Sequence, residues 1–479
     1  MKAFSFKRLS KDDVIAGAIL LLLLVPVIYL AFFRAFECDA GDSVMHYYFA
    51  HYAFKQPSLL LDHWAKPLFT LLAIPLAGFG FGGMKFFNGM LGLLSGYVAF
   101  LVSKKLDLRF PWMAIILVLF SPSYFINLFS GYTEPLFGLM LIFAIYLVMD
   151  DKPISSSVVV SFLPFVRSEG LMIIMVFAFY FFIAKNFKPI ILLLTGHLVY
   201  AFIGMLAGKD FLWVFTEIPY SFGGRYGHGT IQAYSETLLL TMGVPIFILC
   251  VCGIILLIAG IFSSKLPPVN AYRKETQVLL LGSFMAYFLF HSLAWGLGLF
   301  GSMGLSRIII VLVPLGGVMA LVAISFFYSW LPGRYILIGK SLFALILAYI
   351  LIFPFLHNPA SFNFKKDFRR SPEMNVMHQI AKDINTSFPG RYLYYSNPYL
   401  SYALNINHFD ASKHLCFTIW KGRHKTLPNS LVIWDSWFSV VEERTDSTSL
   451  LSDSTLRLVR RYKDPADPKS PVFLLFSHE

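Results

Sequence analysis

Long apolar segments recur along most of the chain and are separated by short polar loops. A helix needs about 20 apolar residues to cross a hydrocarbon core of about 30 Å. The segments that approach this length are 14–33, 84–103, 112–129, 135–149, 154–166, 170–184, 189–207, 237–262, 277–295, 308–330 and 335–354. They predict an all-α polytopic membrane protein with about 11 transmembrane helices. The apolar stretch 68–81 is broken by Gly and Pro, which predicts a re-entrant or interfacial element in the first outer loop.

Hydropathy falls sharply after residue 355. The remaining segment has the composition of a soluble domain and contains short strand-like runs such as 391–395, 431–434 and 472–476. The sequence therefore predicts two domains, a transmembrane domain over residues 1–355 and a small C-terminal α/β soluble domain over residues 356–479.

The stretch 154–184 leaves two interpretations open, two short spans or one long broken helix. The positive-inside rule bears on this choice, because cytoplasmic loops collect Lys and Arg. With two spans there and the N-terminus in the cytoplasm, the inner loops contain the basic segments 104–109, 185–188 and 265–274. A single crossing would move the last of these segments outside. We therefore expect eleven spans, with the C-terminal domain outside the cytoplasm of a multi-pass inner-membrane protein.

The composition excludes a water-soluble globule. Of the 479 residues, 57% are hydrophobic and only 14% are charged. The net charge of +12 comes from 39 basic and 27 acidic residues. The basic residues lie at span ends and not in long runs, which indicates membrane lipids as surroundings and argues against a nucleic-acid partner. The four cysteines are too few for a disulfide framework, and their spacing predicts no metal site.

Polar residues gather in the predicted outer loops, beginning with the first. Asp39 and Asp42 follow the first span, and His46 comes four residues after Asp42. If Asp42 begins a helix, His46 and Ala50 lie on the same helix face one and two turns later. The alternative for Asp42 is a simple N-cap, a common use of Asp at this position.

The other outer loops supply six candidate substrate-binding residues. These are Glu134, Arg167, Glu169, Arg225, His228 and Arg307. Arginine suits a phosphate because its guanidinium makes paired hydrogen bonds. Structural alternatives remain open: Glu134 as a first-turn acid that the helix dipole favours, Arg167 paired with Glu169, the loop 208–236 as a connector, and Arg307 as a snorkelling anchor.

In order and on one membrane face, these motifs resemble the GT-C superfamily of integral-membrane glycosyltransferases. That superfamily includes protein O-mannosyltransferases, the aminoarabinose transferases of lipid A and glycosylphosphatidylinositol mannosyltransferases. The matching elements are Asp42 with His46 and Ala50, Thr133-Glu134-Pro135, Arg167-Ser168-Glu169-Gly170 and Gly304-Leu305-Ser306-Arg307. The resemblance covers roughly residues 10–355 and implies a GT-C-like fold.

The resemblance implies transfer of a sugar from a polyprenyl-phosphate-linked donor to an acceptor hydroxyl on the extracytoplasmic side, with inversion. Asp42 would be the general base, with Asp39 as its alternate and His46 as an orienting neighbour. Arg307 and Arg225 would contact the donor phosphate. The acceptor is left open among a lipid, a glycan and a protein, as is help from a divalent cation. Many relatives carry adjacent acids or an Asp-x-Asp pattern, which this chain lacks.

Two other functional classes compete with a transferase. A transporter or flippase of lipid-linked saccharides would commonly show internal repeats and binding residues near the middle of the membrane. The sequence shows no convincing repeat, and its polar residues lie at one interface. A structural membrane subunit whose tail binds partners would require no single acid. The pattern favours the enzyme.

Overall fold

The computed structural model describes residues 10–219, 226–263, 272–330, 336–415, 427–464 and 470–478. The chain forms two compact units, each discontinuous in sequence. The first unit comprises Met1–Phe33 and Pro57–Asn363, and the second comprises Arg34–Gln56 and Phe364–Glu479. Hydropathy alone assigns 34–56 to the transmembrane domain, whereas the contacts of this segment group it with the tail, because its aromatic residues pack on tail residues.

The described helices occur in the following chain order: α1 (Lys11–Phe32), α2 (Asp42–Ala53), α3 (Pro67–Ala77), α4 (Phe81–Lys105), α5 (Met113–Leu119), α6 (Pro122–Asn127), α7 (Glu134–Met149), α8 (Pro153–Ser161), α9 (Gly170–Ile183), α10 (Phe187–Leu192), α11 (Thr195–Leu206), α12 (Trp213–Thr216), α13 (Ala233–Met242), α14 (Val244–Phe262), α15 (Gly282–Gly296), α16 (Val313–Trp330), α17 (Ile336–Ile352), α18 (Pro372–Ser387), α19 (Pro398–Leu404) and α20 (Ser447–Leu451). A π-helical turn, Glu275–Leu281, precedes α15, and a 3-10 turn, Ser306–Leu312, precedes α16. Helices α2 and α18 to α20 belong to the second unit.

Apolar helices of membrane-spanning character dominate the first unit. Among the described residues, seven helical segments are long and apolar enough to cross a membrane. Shorter apolar helices accompany them, at Pro67–Ala77, Glu134–Met149, Pro153–Phe165 and Gly170–Ile183. With the small C-terminal sheet described below, this arrangement confirms the predicted fold class of an integral membrane protein. The stretch 154–184 forms α8 and α9, which pack against each other, so it is not one long helix.

Proline and glycine break two of the predicted spans. The segment 112–129 is divided into α5 and α6 at Ser121, whose successor Pro122 disfavours helical backbone at the residue before it. The segment 237–262 is divided into α13 and α14 at Gly243, where φ is +75°. Only glycine adopts that conformation at little cost, so the glycine itself favours a break in the helix at this position.

Helix α16 forms the centre of the first unit. Residues 308–325 of its candidate span are all buried, and the helix packs against α4, α5, α7 and α14. A helix that is apolar on every side suits such a position. Gly253 of α14 lies directly on the backbone of Met319, where a Cβ atom would come within 2.0 Å of the carbonyl oxygen. The two helices therefore need glycine at this crossing.

Charged residues of the predicted inner loops meet at one end of the first unit. Lys104 pairs with Asp13 at 2.6 Å, and Asp150 pairs with Lys105 and with Lys152 at 2.6 Å each. Hydrogen bonds from the two lysines lower the pKa of Asp150 to about 2. These contacts bring the ends of α1, α4 and α7 together. Lys265 of the same predicted side lies outside the described residues.

The second unit contains a mixed five-stranded sheet among its described residues. Its strands are β1 (Tyr392–Tyr395), β2 (His414–Leu415), β3 (Ser430–Asp435), β4 (Leu456–Tyr462) and β5 (Phe473–His478). Their order is β2-β1-β3-β5-β4, with β1 parallel to β2 and β3, and β5 antiparallel to β3 and β4. Helix α18 covers one face through apolar residues such as Met377 and Ile380, which line a small internal cavity with Ile433.

Candidate active site

Four predicted substrate-binding residues of the first unit meet in one buried cluster. Glu134 Oε1 accepts a hydrogen bond from Arg167 Nη1 at 2.7 Å and from Arg307 Nε at 3.3 Å. Glu169 Oε1 accepts from Arg167 Nη2 at 2.8 Å. Arg167 thus bridges two carboxylates. Arg167 is therefore paired with Glu169, as the structural alternative for these two residues predicted. The pair belongs to a larger group of Glu134, Arg167, Glu169 and Arg307, which we name the arginine–glutamate cluster.

Each member of this cluster lies at the end of an apolar helix. Glu134 is the first residue of α7, and Glu169 immediately precedes α9. Arg307 lies in the 3-10 turn that leads into α16. Because α7 has 16 residues, its length of ~24 Å separates the cluster from Asp150 at the other end. The cluster and the lysine–aspartate pairs thus occupy opposite ends of one helix.

Neighbouring side chains hold the cluster in place. The guanidinium of Arg307 lies over the ring of Tyr132, 4.3 Å from its centroid, in a cation–π contact. Asn88 Nδ2 donates to the Tyr132 carbonyl at 2.9 Å and so fixes the loop before α7. Thr133 Oγ1, in the same loop, accepts from Arg167 Nη1 at 3.3 Å. The loop therefore supports both arginines.

Sequence reasoning missed Lys66, which lies beside the cluster. Only 4% of Lys66 is exposed, and its Nζ is 3.5 Å from Ser168 Oγ, between Arg167 and Glu169 in the chain. With Lys66 counted, three cationic side chains lie around two carboxylates. The missed signal is a lysine directly before Pro67 in an apolar stretch, where a charge is costly unless it serves a site or a partner.

The two candidates of the long outer loop are not brought into the cluster by any described contact. Arg225 lies outside the described residues. His228 is exposed, and its Nδ1 lies 3.4 Å from the Gly229 carbonyl. The described part of the loop is docked on Trp295, because Gly229 N donates to the Trp295 carbonyl at 3.1 Å. A Cβ on Gly229 would lie 2.0 Å from Trp295 Nε1, so this approach requires glycine.

The two acids of the first outer loop, in the second unit, have different surroundings. Asp39 accepts hydrogen bonds from the backbone N–H groups of Gly41 and of Ser43, the latter at 3.2 Å. It therefore supplies the capping bonds at the start of α2. Asp42 is the first residue of that helix and is partly exposed, while His46, one turn later, is buried. The capping role considered for Asp42 is filled by Asp39.

A second missed residue, Glu37, anchors the same loop within the second unit. It is 2% exposed, and its Oε2 accepts from Tyr399 Oη at 2.7 Å and from Arg370 Nε at 3.3 Å. Ser43 Oγ donates to the Glu37 carbonyl at 2.7 Å. Burial and the Glu37 carboxylate raise the pKa of Tyr399 far above its usual range, so this hydroxyl stays a donor. We call Glu37, Arg370 and Tyr399 the Glu37 anchor.

Aromatic contacts add to this anchor. The ring of Tyr48 stacks on that of His408, with centroids 5.2 Å apart and an interplanar angle of 7°. Tyr48 Oη donates to the Pro398 carbonyl at 3.1 Å. Burial lowers the pKa of His408 to about 3, so it stacks as a neutral ring. Residues of the tail therefore hold helix α2, in addition to the hydrogen bonds from the loop before it.

The described part of the chain contains no cluster of metal-ligating side chains. No group of three or more His, Cys, Asp or Glu side chains there is arranged to hold a metal ion. The prediction that named no metal ligands, and left a divalent cation open, stays a prediction.

Comparisons with known proteins address the fold. No family model matches the chain, and no curated protein matches it. Among solved structures, the chain is similar to ArnT from Cupriavidus metallidurans, both in the apo state and bound to undecaprenyl phosphate. Each comparison has a TM-score of 0.60 and 11% sequence identity, and covers 96% of this chain and 97% of ArnT. The chain has a GT-C fold. This confirms the fold that the resemblance implied.

Proposed function

We propose that this protein is a membrane glycosyltransferase that moves a sugar from a polyprenyl-phosphate-linked donor to an acceptor hydroxyl. The observation that carries the proposal is the buried arginine–glutamate cluster with Lys66, at one end of the membrane helices of a GT-C fold. A structure of the similar protein ArnT contains undecaprenyl phosphate, which is a ligand of the class proposed.

The charges of the cluster suit a lipid phosphate. Three of its side chains, with Lys66 counted, are cations, and a buried cation attracts a phosphate more strongly than a cation in water does. Arg167 is already held by Glu134 and Glu169 at 2.7 and 2.8 Å, so its main task is to keep two carboxylates in place. Lys66 and Arg307 are therefore the phosphate ligands that we propose. Arg225 remains a candidate from the sequence alone.

An apolar groove supports a lipid donor. It lies between α9 and the π-helical turn before α15, has a volume of about 470 Å³, and is lined mainly by apolar residues: Met172, Met175, Val176, Phe179, Gln277, Val278 and Gly282. Helix α9 starts directly after Glu169, so the groove runs along a helix whose first turn adjoins the cluster. Methionine side chains adapt their shape to irregular hydrocarbon. We propose that the isoprenoid chain lies here.

The chemistry needs one base and one stabilised leaving group. We propose that Asp42 takes the proton of the acceptor hydroxyl as its oxygen attacks the anomeric carbon. The bond from that carbon to the phosphate oxygen breaks, and the phosphate leaves with the electron pair towards Lys66 and Arg307. This single displacement inverts the anomeric centre. Asp39 is the alternate base, and His46 orients Asp42.

We further propose that the reaction takes place on the extracytoplasmic side. The cluster lies at the end of α7 opposite the lysine–aspartate pairs of Lys105 and Lys152, and basic residues favour the cytoplasm. The tail would share this outer side if the eleven predicted crossings separate it from the N-terminus. The sugar and the acceptor class stay open.

A pair of matched substitutions tests the enzyme and its base. Asp42→Asn should slow transfer about 100- to 10,000-fold, because the amide cannot accept the proton, with no change in thermal stability. Asp39→Asn should retain most activity, because Asn also caps helices. Transfer is measured as release of undecaprenyl phosphate from undecaprenyl-phosphate pentose and hexose donors, with a lipid extract as acceptor.

Three outcomes would contradict parts of this proposal. Full activity in both variants would exclude a base in the first outer loop. Loss of activity in Asp39→Asn alone would move the base to Asp39. Transbilayer movement of the intact donor without release of undecaprenyl phosphate would identify a flippase.

A further inference from the structure

Several buried polar atoms lie beside the arginine–glutamate cluster without a well-formed hydrogen bond. Within the described residues, Tyr234 Oη, His291 Nε2 and Ser302 Oγ have no partner of good hydrogen-bond geometry, although Tyr234 and Ser302 lie close enough to interact with each other. Tyr234 is 1% exposed and His291 is 4% exposed, so water at the surface does not satisfy them. His291 Nε2 lies 3.4 Å from Glu169 Oε1, without good hydrogen-bond geometry.

Three separate elements deliver these atoms to the same place. Tyr234 lies in the first turn of α13, His291 near the end of α15, and Ser302 in the loop that follows α15. The rings of Tyr234 and His291 are 6.1 Å apart. Packing at this position needs no polar atom, because apolar side chains of similar size would fill the space without an unpaired donor. Polar groups gathered this way point to a polar ligand.

The mixture of groups indicates the chemistry of that ligand. A tyrosine or serine hydroxyl can donate or accept, a neutral imidazole can do either, and the Glu169 carboxylate accepts. A phosphate offers only acceptors, and an isoprenoid chain offers neither. A sugar hydroxyl donates one hydrogen bond and accepts others, which matches the set. The two carboxylates next to the arginines would also repel an anion bound at this point.

We propose that Tyr234, His291 and Ser302, together with Glu169, form the subsite that binds hydroxyl groups of the transferred sugar. This inference rests on the proposed function, because it assigns the sugar of the same donor whose phosphate is assigned to Lys66 and Arg307. It makes Tyr234 a residue that determines which sugar is accepted.

The chain offers a matched control in Tyr124 of α6. Tyr124 is equally buried, at 1% exposure, and its hydroxyl likewise has no partner of good hydrogen-bond geometry within the described residues, with Ser95 as its polar neighbour. No ionised side chain acts on it, whereas Arg167, Glu169 and Arg307 all act on Tyr234. Removing either hydroxyl leaves a phenylalanine of the same shape. The two substitutions thus differ in their distance from the charges and not in packing.

The experiment compares Tyr234→Phe with Tyr124→Phe in the full-length protein. Loss of one ligand hydrogen bond should lower kcat/KM for the sugar donor about 10- to 100-fold in Tyr234→Phe. The Kd of undecaprenyl phosphate without a sugar should change less than about twofold, because its phosphate and chain bind elsewhere. Tyr124→Phe should change neither quantity. Among deoxy-sugar donors, one should be penalised in wild type but not further in Tyr234→Phe.

Wild-type kcat/KM in Tyr234→Phe, with an active wild-type enzyme, would overturn the subsite and leave the proposed function intact. Equal weakening of undecaprenyl phosphate with and without sugar would assign Tyr234 to the phosphate and also overturn it. If the wild-type protein binds undecaprenyl phosphate but releases it from no sugar donor, the proposed function itself fails. These three results are distinct in the same set of assays.

Discussion

Two buried glutamates, Glu134 in the first unit and Glu37 in the second, each pair with an arginine but differ in their polar surroundings. Each carboxylate is almost fully buried and is paired with an arginine. The Glu37 carboxylate accepts hydrogen bonds from Tyr399 and Arg370. Glu134 shares Arg167 with a second carboxylate, and unsatisfied polar atoms lie near by.

This difference separates a scaffold from a site. A buried pair with saturated partners mainly fixes geometry, and its net contribution to stability is small although removing one partner is costly. A buried group of charges with poorly satisfied neighbours costs free energy that a bound polar ligand can recover. The predictions below test whether the Glu37 anchor acts only on folding and the arginine–glutamate cluster on both folding and substrate.

The largest effect is expected from Arg167→Met. It leaves Glu134 and Glu169 buried with one cation fewer, so the free energy of unfolding should fall by about 3–5 kcal/mol and activity should be lost. Thermal unfolding in detergent micelles measures the first. Lys152→Met is the control: its side chain is 58% exposed, so its ion pair with Asp150 should contribute little to stability. Equal effects of both substitutions would contradict the cluster's structural role.

A smaller effect is expected from Tyr399→Phe in the Glu37 anchor. It removes a hydroxyl that donates to a buried carboxylate, so the free energy of unfolding should fall by about 1–3 kcal/mol. Sugar selectivity, taken as the ratio of kcat/KM for two donors, should not change. Tyr392→Phe, which removes an exposed hydroxyl that bonds the Ala411 carbonyl at 2.8 Å, should be nearly neutral. A changed donor ratio in Tyr399→Phe would mean that the anchor is not only a scaffold.

The smallest effect concerns pH and Glu373 of the second unit. Burial raises the pKa of Glu373 to about 7, with a further contribution from Asp435, while Asn397 Nδ2 donates to it at 3.0 Å. In the unfolded chain this carboxyl ionises near pH 4.5. The folded state therefore holds the proton more tightly, and stability declines as pH rises from about 4.5 to about 7.

Glu373→Gln should remove this decline because the amide does not ionise. The variant should gain about 1–3 kcal/mol over wild type at pH 8 and should match it at pH 4.5. Thermal unfolding at both pH values measures this. A constant difference at the two values would contradict ionisation of Glu373 as the cause.

Much of the fold could be predicted because hydropathy is local. An apolar run long enough to cross a bilayer must be helical there, since lipid offers its backbone no hydrogen-bond partner. The predicted span 84–103 became α4, and 308–330 became the 3-10 turn and α16, with limits shifted by a few residues. Gly243 and Pro122 ended helices for reasons of backbone geometry that need no tertiary structure.

Which loop residues meet was decided only by tertiary structure. Arg307 and Glu134 are 173 positions apart, and Tyr399 and Glu37 are 362 apart. No local period encodes such pairs, because they depend on which helices become neighbours and how closely those helices pack. The same holds for Lys66, whose stretch reads as an apolar interfacial element, and for Asp39, which takes the capping role considered for Asp42. The sequence by itself determined where charges lie relative to the spans. Packing decided which charges share a site, because a buried charge is costly unless a partner of opposite charge lies beside it.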